Sequence, residues 1–265
     1  MTTHHDAWIR HGDITLPPPV DLGRLTRRRR EACAALMGTL WDAHGRRRLP
    51  TVRALVAALE ACDRRDPWWV CEATSAGPVY LLPTREWMRH LVRLLDRLGV
   101  RRVLEVGAGD GFLAECLARA GSGLHVTATD THAWRRPRAR MNAADRRVYR
   151  GVRFSGIRPG SNVKRLGAAA AITRFRPDLV LVSWPPPGTL VERAIRARTR
   201  WVLDLSVEGD VCGNGAATWR FNKEFLGGPL EDRALCRLDA RPSEGRATRV
   251  TLYFGRAHPE FFEER

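Results

Sequence analysis

One stretch constrains the chain more than any other. Val103-Leu104-Glu105-Val106 is a short apolar run that meets Gly107-Ala108-Gly109-Asp110-Gly111 and continues into Phe112-Leu113. The order predicts a strand, a tight glycine turn and a helix. Glycine suits such a turn because the backbone bends sharply and a ligand must approach with no Cβ in the way. In an open α/β sheet, ligands bind at the carboxyl ends of the strands, where the winding direction reverses. A glycine pattern alone is weak, but here it has three supports. A strand precedes it, a helix follows it, and Asp130 ends the next predicted strand, 19 residues beyond Gly111. That distance suits a carboxylate that accepts hydrogen bonds from ribose hydroxyls.

The surrounding chain alternates in the same way. Predicted strands lie at 102–106, 124–129, 162–166, 178–182 and 201–207, with helices at 112–120, 168–175 and 189–198. Alternation of this kind gives a mostly parallel sheet with helices on both faces. The last two predicted strands, 234–240 and 248–254, are separated only by the turn Pro242-Ser243-Glu244-Gly245, so they read as an antiparallel hairpin at the sheet edge. The fold expected is therefore α/β: a doubly wound, mostly parallel, seven-stranded sheet.

An N-terminal helical extension precedes it. Residues 1–23 lack periodicity and contain Pro17-Pro18-Pro19, which suggests an irregular arm. Leu25, Ala32, Leu36, Leu40 and Trp41 follow near helical spacing, to an end near Gly45. Pro50 or Thr51 starts a second helix through Val52, Leu55, Val56, Leu59 and Cys62, and Trp68-Trp69 adds an aromatic patch. Val79–Leu82 reads as extended, and Thr84 is an N-cap for an amphipathic helix from Trp87 to Leu98. The division expected is an arm over 1–23, a helical cap over 24–85 and the sheet domain over 86–265.

The spacing Gly107-x-Gly109-x-Gly111, preceded by Glu105, resembles the E/D-x-G-x-G-x-G signature of class I S-adenosylmethionine-dependent methyltransferases. It differs from the G-x-G-x-x-G of dinucleotide enzymes. The resemblance covers about residues 86–255 and implies S-adenosylmethionine as cofactor. The implied contacts are Glu105, Gly107, Ala108, Gly109 and Gly111 beside the methionine part, and Asp130 on the ribose. Many members carry an Asp after the third strand for the adenine amino group. Here that region reads Val163-Lys164-Arg165-Leu166-Gly167-Ala168, without an acid. Either adenine is held by backbone and apolar contacts, or the third strand lies elsewhere.

Ser183-Trp184-Pro185-Pro186-Pro187-Gly188 ends the fourth strand of that domain. It resembles the (D/N/S)-P-P-(Y/F/W) loop of methyltransferases that act on amino groups. In those enzymes a polar side chain and a proline carbonyl accept hydrogen bonds from the target amine, and an aromatic ring stacks on the substrate. If Ser183 is the polar group, Trp184 is an insertion able to supply the stacking surface. If Trp184 stands at the polar position, Pro187 replaces the aromatic and neither role is filled. Ser183, Trp184, Pro185 and Pro186 are the implied substrate-facing residues. Prolines stiffen such a loop because their φ is locked. Methyl transfer asks mainly for in-line approach of the reactants, which accords with a sequence that shows no triad. Glu208, Asp210 and His132 are candidates for a base, and Gly213-Asn214-Gly215 for a mobile loop.

Charge bears on the partner. The formal net charge is +16, and of the 45 basic residues all but Lys164 and Lys223 are arginine. With its abundant alanine, glycine and proline, the chain also reads as the product of GC-rich coding. Placement says more than the total. From Arg135 to Arg165 eleven basic residues face one acid, Asp145, an excess of ten. Such a segment suits phosphates, with Trp134 and Trp184 as stacking surfaces for an extruded base. Three readings stay open: a methyltransferase acting on nucleic acid, RNA favoured; one acting on a small molecule or peptide; and a nucleic-acid-binding protein without turnover. The six cysteines form no CxxC pair, so neither a metal site nor a disulfide framework is expected. No run approaches the roughly 18 apolar residues of a membrane span, and a cytoplasmic protein is expected.

Overall fold

A computed structural model describes residues 9–11, 14–16, 26–63, 66–72, 79–121, 123–131, 157–185, 188–207, 218–227, 230 and 248–264. Within the segment expected to be irregular, β1 (Ile9–His11) and β2 (Ile14–Leu16) pair antiparallel.

Three helices follow. Helix α1 (Arg27–Leu40) starts at Thr26, whose side chain accepts the Arg29 N–H, and α2 (Val52–Glu60) starts at Thr51, which accepts the Ala54 N–H. Helix α3 (Asp66–Glu72), absent from the sequence reading, contains the Trp68-Trp69 pair. These helices bury Leu36, Leu40, Leu55, Leu59, Val70 and Leu82 as a core of their own. Asp66 is buried there and is held by Arg29, whose Nη2 lies 2.6 Å from its Oδ1.

Helix α4 (Arg85–Arg97) is capped by Thr84, as its sequence predicts. Its first turn is laced to α2: the Glu86 carboxylate accepts the Val52 N–H at 2.9 Å, and the Arg85 N–H donates to Pro50 O at 2.9 Å. The sheet domain then alternates as β3 (Arg102–Val106), α5 (Phe112–Ala120), β4 (His125–Asp130), β5 (Val163–Arg165), α6 (Ala168–Phe175), β6 (Leu179–Ser183), α7 (Leu190–Arg196) and β7 (Trp201–Val207). Two further strands, β8 (Lys223–Phe225) and β9 (Thr248–Phe254), complete it.

The seven strands lie in the order β5-β4-β3-β6-β7-β9-β8. Pairs among β3 to β7 are parallel, while β9 runs antiparallel to both β7 and β8. This corrects the expected closing hairpin. Strand β9 inserts beside β7, and the edge partner is the three-residue β8, too short and polar to be recognised as a strand. The predicted strand 234–240 lies outside the described residues. The third strand of the domain is where it was expected, so its lack of a terminal acid is a property of this chain.

Alternation of side chains across the sheet builds two cores. Val103, Leu179, Leu181, Leu203 and Leu205 face α4 and α5. Leu104, Val106, Val180, Val182 and Val202 face α6 and α7. A sheet covered on both faces explains the nearly continuous apolar runs in its strands. The winding direction reverses between β3 and β6, and the functional cleft opens at the carboxyl ends of those two strands.

Candidate cofactor and substrate cleft

The glycine loop owes its shape to backbone angles that other residues adopt only with strain. Gly107, Gly109 and Gly111 have φ of +68°, +58° and +77°. The Gly111 N–H returns to Ala108 O at 2.9 Å, and the Ala108 N–H reaches Thr129 O on β4 at 3.1 Å. Asp130, buried at the end of β4, accepts the Gly109 N–H through Oδ2 at 3.1 Å. The acid singled out from the sequence thus braces the loop from the neighbouring strand.

Glu105 lies beneath the loop and accepts the Ala114 N–H at 2.9 Å, in the first turn of α5. Burial pushes its carboxyl up to about 8, and the charges of Asp110 and Asp130 add to the shift. Gly111 is turned away from the cleft. A Cβ there would stand 2.5 Å from Val163 Cγ2 and 2.7 Å from Asn162 Oδ1. Its role is to let the chain enter α5 against β5.

The cleft is lined by Gly107, Ala108, Gly109 and Asp110 on one side and by Ser183 and Trp184 on the other. Arg47, Tyr80, Leu81, Phe112 and Ile157 also line it. Ile157 Cδ1 would lie 3.3 Å from a Cβ on Gly109, so an apolar side chain sits against the loop where the backbone is barest. The structure therefore brings Glu105, Gly107, Ala108, Gly109, Ser183 and Trp184 to one cleft. Asp130 and Gly111 support the loop without lining it. Pro185 is buried, and Pro186 lies outside the described residues.

Trp184 is the unusual member. It has φ of +47°, a left-handed conformation that a bulky side chain rarely takes. Its N–H donates to Leu205 O at 2.8 Å, anchoring the loop on β7. Its ring packs on Tyr80 with centroids 5.5 Å apart and is only 8% exposed, so the stacking surface expected from the sequence is already in use. Its Nε1 is buried without a hydrogen-bond partner among the described residues. A buried donor of this kind calls for an explanation, and Trp201 Nε1 in the core is in the same state among the described residues.

Sequence reasoning missed Arg47. It is one of three consecutive arginines, 46 to 48, to which the sequence assigned no role. Arg46 does pair with Asp42 at the surface, and Arg48 reaches Gly38 O. Arg47 turns inward to the glycine loop, drawn there by an isolated bridge between Trp41 and Arg47. No local signal separates it from its neighbours.

On β7, beside β6, Asp204 is buried with its carboxyl pushed up to about 7 by burial, against the nearby Arg249 charge. Of the other candidates, Glu208, Asp210, His132, Trp134 and Gly213–Gly215 lie outside the described residues, as does the basic segment over 132–156. Arg158, Lys164 and Arg165 are described and exposed. Cys33, Cys62, Cys71 and Cys116 are buried thiols that form no disulfide among the described residues. Among the described residues no group of three or more potential ligands is arranged to hold a metal, and no helix is long and apolar enough to cross a membrane.

Sheet order, antiparallel β9 and the glycine loop at the reversal point together define the class I methyltransferase fold. No protein-family model matches the chain, and no curated protein does. Among solved structures, the chain is similar to the 23S rRNA methyltransferase ErmE, with 20% identity over 68% of this chain and 71% of that one and a TM-score of 0.37. It is also similar to the O-methyltransferase TomG of Streptomyces achromogenes, with 18% identity over 66% and 82% and a TM-score of 0.31. A third is the O-methyltransferase of Bacillus cereus, with 13% identity over 64% and 81% and a TM-score of 0.32.

Proposed function

We propose that this chain is an S-adenosylmethionine-dependent methyltransferase that acts on nucleic acid, with RNA as the favoured substrate and a ring or exocyclic nitrogen as the target. The observation that carries the reading is the cleft at the reversal point, with the glycine loop on one wall and Ser183-Trp184 on the other. The left-handed glycines Gly107 and Gly109 bring backbone to the cleft wall, which supports close approach of a nucleoside thioether. When bound, the cofactor supplies an electrophilic methyl group on a sulfonium.

The residues of the chain then position the reactants. Gly107, Ala108 and Gly109 lie along the methionine part. Asp130 keeps the Gly109 N–H oriented from the end of β4. Glu105, largely protonated near neutral pH, holds the start of α5 without adding a full negative charge beneath the loop. The Ser183 hydroxyl and the Pro185 carbonyl accept hydrogen bonds from the target nitrogen, with Pro186 stiffening the loop. Orientation of this kind is the main contribution a protein makes to such a transfer.

The net charge of +16, concentrated between Arg135 and Arg165, supports a polyanionic substrate. A small-molecule substrate draws support from a different observation: Arg47, from the segment between α1 and α2, lines the cleft and is bonded to Asp110. Transfer of a labelled methyl group to separated RNA, DNA, protein and metabolite fractions tests the choice. Label in RNA, lost steeply as salt rises, is the expected result. Label confined to metabolites overturns the nucleic-acid reading.

A further inference from the structure

We infer that Arg47 and Asp110 form the receptor for the zwitterionic amino-acid end of the cofactor, the guanidinium taking the carboxylate and Asp110 the ammonium. The inference rests on the methyltransferase reading above, and it makes the helical unit a part of the cofactor site.

The arginine is fixed on several sides. Its Nη1 lies 3.0 Å from Asp110 Oδ2, its Nη2 donates to Leu81 O at 3.1 Å, and its guanidinium lies 4.0 Å from the centre of the Phe112 ring. Asp110 is fixed in turn, because its Oδ1 accepts the Phe112 N–H at 3.0 Å. A guanidinium has five N–H donors in a rigid fork, and these contacts engage only part of it. The side chain is 14% exposed, on the cleft wall beside Gly107 and Gly109. A tie between two units does not need an arginine drawn this far from water, and this one lines the cleft with donors beyond its two hydrogen bonds.

Charge decides the class of ligand. The ionised pair on the wall is one guanidinium and one carboxylate. A simple anion would meet Asp110, and a simple cation would meet Arg47. A zwitterion satisfies both, and the fork geometry suits a carboxylate.

Two neutral thioethers test the assignment by calorimetric titration into the full chain. S-adenosylhomocysteine carries the amino-acid end, and 5′-methylthioadenosine lacks it. In Arg47→Gln the affinity for S-adenosylhomocysteine is expected to fall at least tenfold, while that for 5′-methylthioadenosine changes less than twofold. Arg47→Lys, which keeps the charge without the fork, is expected to fall between wild type and Arg47→Gln, and it serves if the glutamine variant does not fold. Asp110→Asn is expected to lower the affinity for S-adenosylhomocysteine alone. Equal losses for both ligands, or no loss for either, would assign Arg47 a purely structural tie and overturn the inference. Failure of the wild-type chain to bind either thioether would overturn the cofactor reading itself, and the receptor with it.

Discussion

Adjacent parallel strands β3 and β6 both end at the cleft, and the loops that follow them turn the chain with opposite residues. After β3, three glycines take the left-handed angles at little cost. After β6, a tryptophan takes one, with φ of +47°. Strain in a bulky residue persists only where its surroundings over-determine it. Trp184 is held by Leu205 O and by the Tyr80 ring, yet its Nε1 is left without a partner among the described residues. The glycine loop is therefore shaped by backbone geometry. The tryptophan loop is shaped by packing, through the Leu205 hydrogen bond and the Tyr80 ring.

Breaking the first loop should have the largest effect. Gly111→Val adds side-chain atoms against Val163 and Asn162 at a φ of +77°. Left-handed strain costs roughly 1–2 kcal/mol and overpacking roughly 1–3 kcal/mol, so a loss of about 3 kcal/mol is expected in urea unfolding. Wild-type stability in that variant would mean the loop does not abut β5.

The next effect is pH-dependent. Glu105 titrates at about 8 in the folded protein against 4.5 as its ordinary value. Across that interval the folded state binds more protons than the unfolded one, so stability is greatest below about 4.5 and is lost as pH rises toward 8. A fall of about 2 kcal/mol between pH 6 and 8 follows from the linkage relation. Glu105→Gln, followed by thermal unfolding at both pH values, should flatten that dependence. An unchanged slope would show that the carboxyl is ionised in the fold.

A smaller effect sharpens the comparison at Trp184. Trp87 donates its Nε1–H to Leu230 O at 3.1 Å, whereas Trp184 has no such acceptor among the described residues. Replacement by Phe at 87 orphans a carbonyl, while at 184 it removes an orphaned donor. Trp184→Phe should cost at least about 1 kcal/mol less than Trp87→Phe. Equal costs would give the Trp184 Nε1 a partner not seen here. Smallest of all, Gly107→Ala should cost about 1 kcal/mol from its φ alone, because its Cβ would meet Leu190 Cδ2 at an ordinary 3.4 Å. A cost as large as that of Gly111→Val would refute the difference drawn between the two glycines.

The sheet domain was legible because its strands are buried on both faces and its helices carry a clear apolar periodicity. Strands 102–106, 201–207 and 248–254 and helices 112–120 and 168–175 fall where the sequence places them. The edge strand β8 escaped because three half-exposed residues, Lys223 to Phe225, carry no alternation to read. Of the site, the glycine loop and the Ser183-Trp184 turn were readable from their local chemistry. Arg47 was not, because its place beside Asp110 depends on a contact between residues 63 positions apart.

The central claim is that the loop between β3 and α5 holds a sulfonium nucleoside. Calorimetric titration of S-adenosylmethionine into the full chain tests it most directly. Saturable binding that is lost in both Gly107→Val and Asp130→Ala, with folding retained, is the predicted result. Absence of binding to the folded wild-type chain, or the same affinity in both variants, would contradict it.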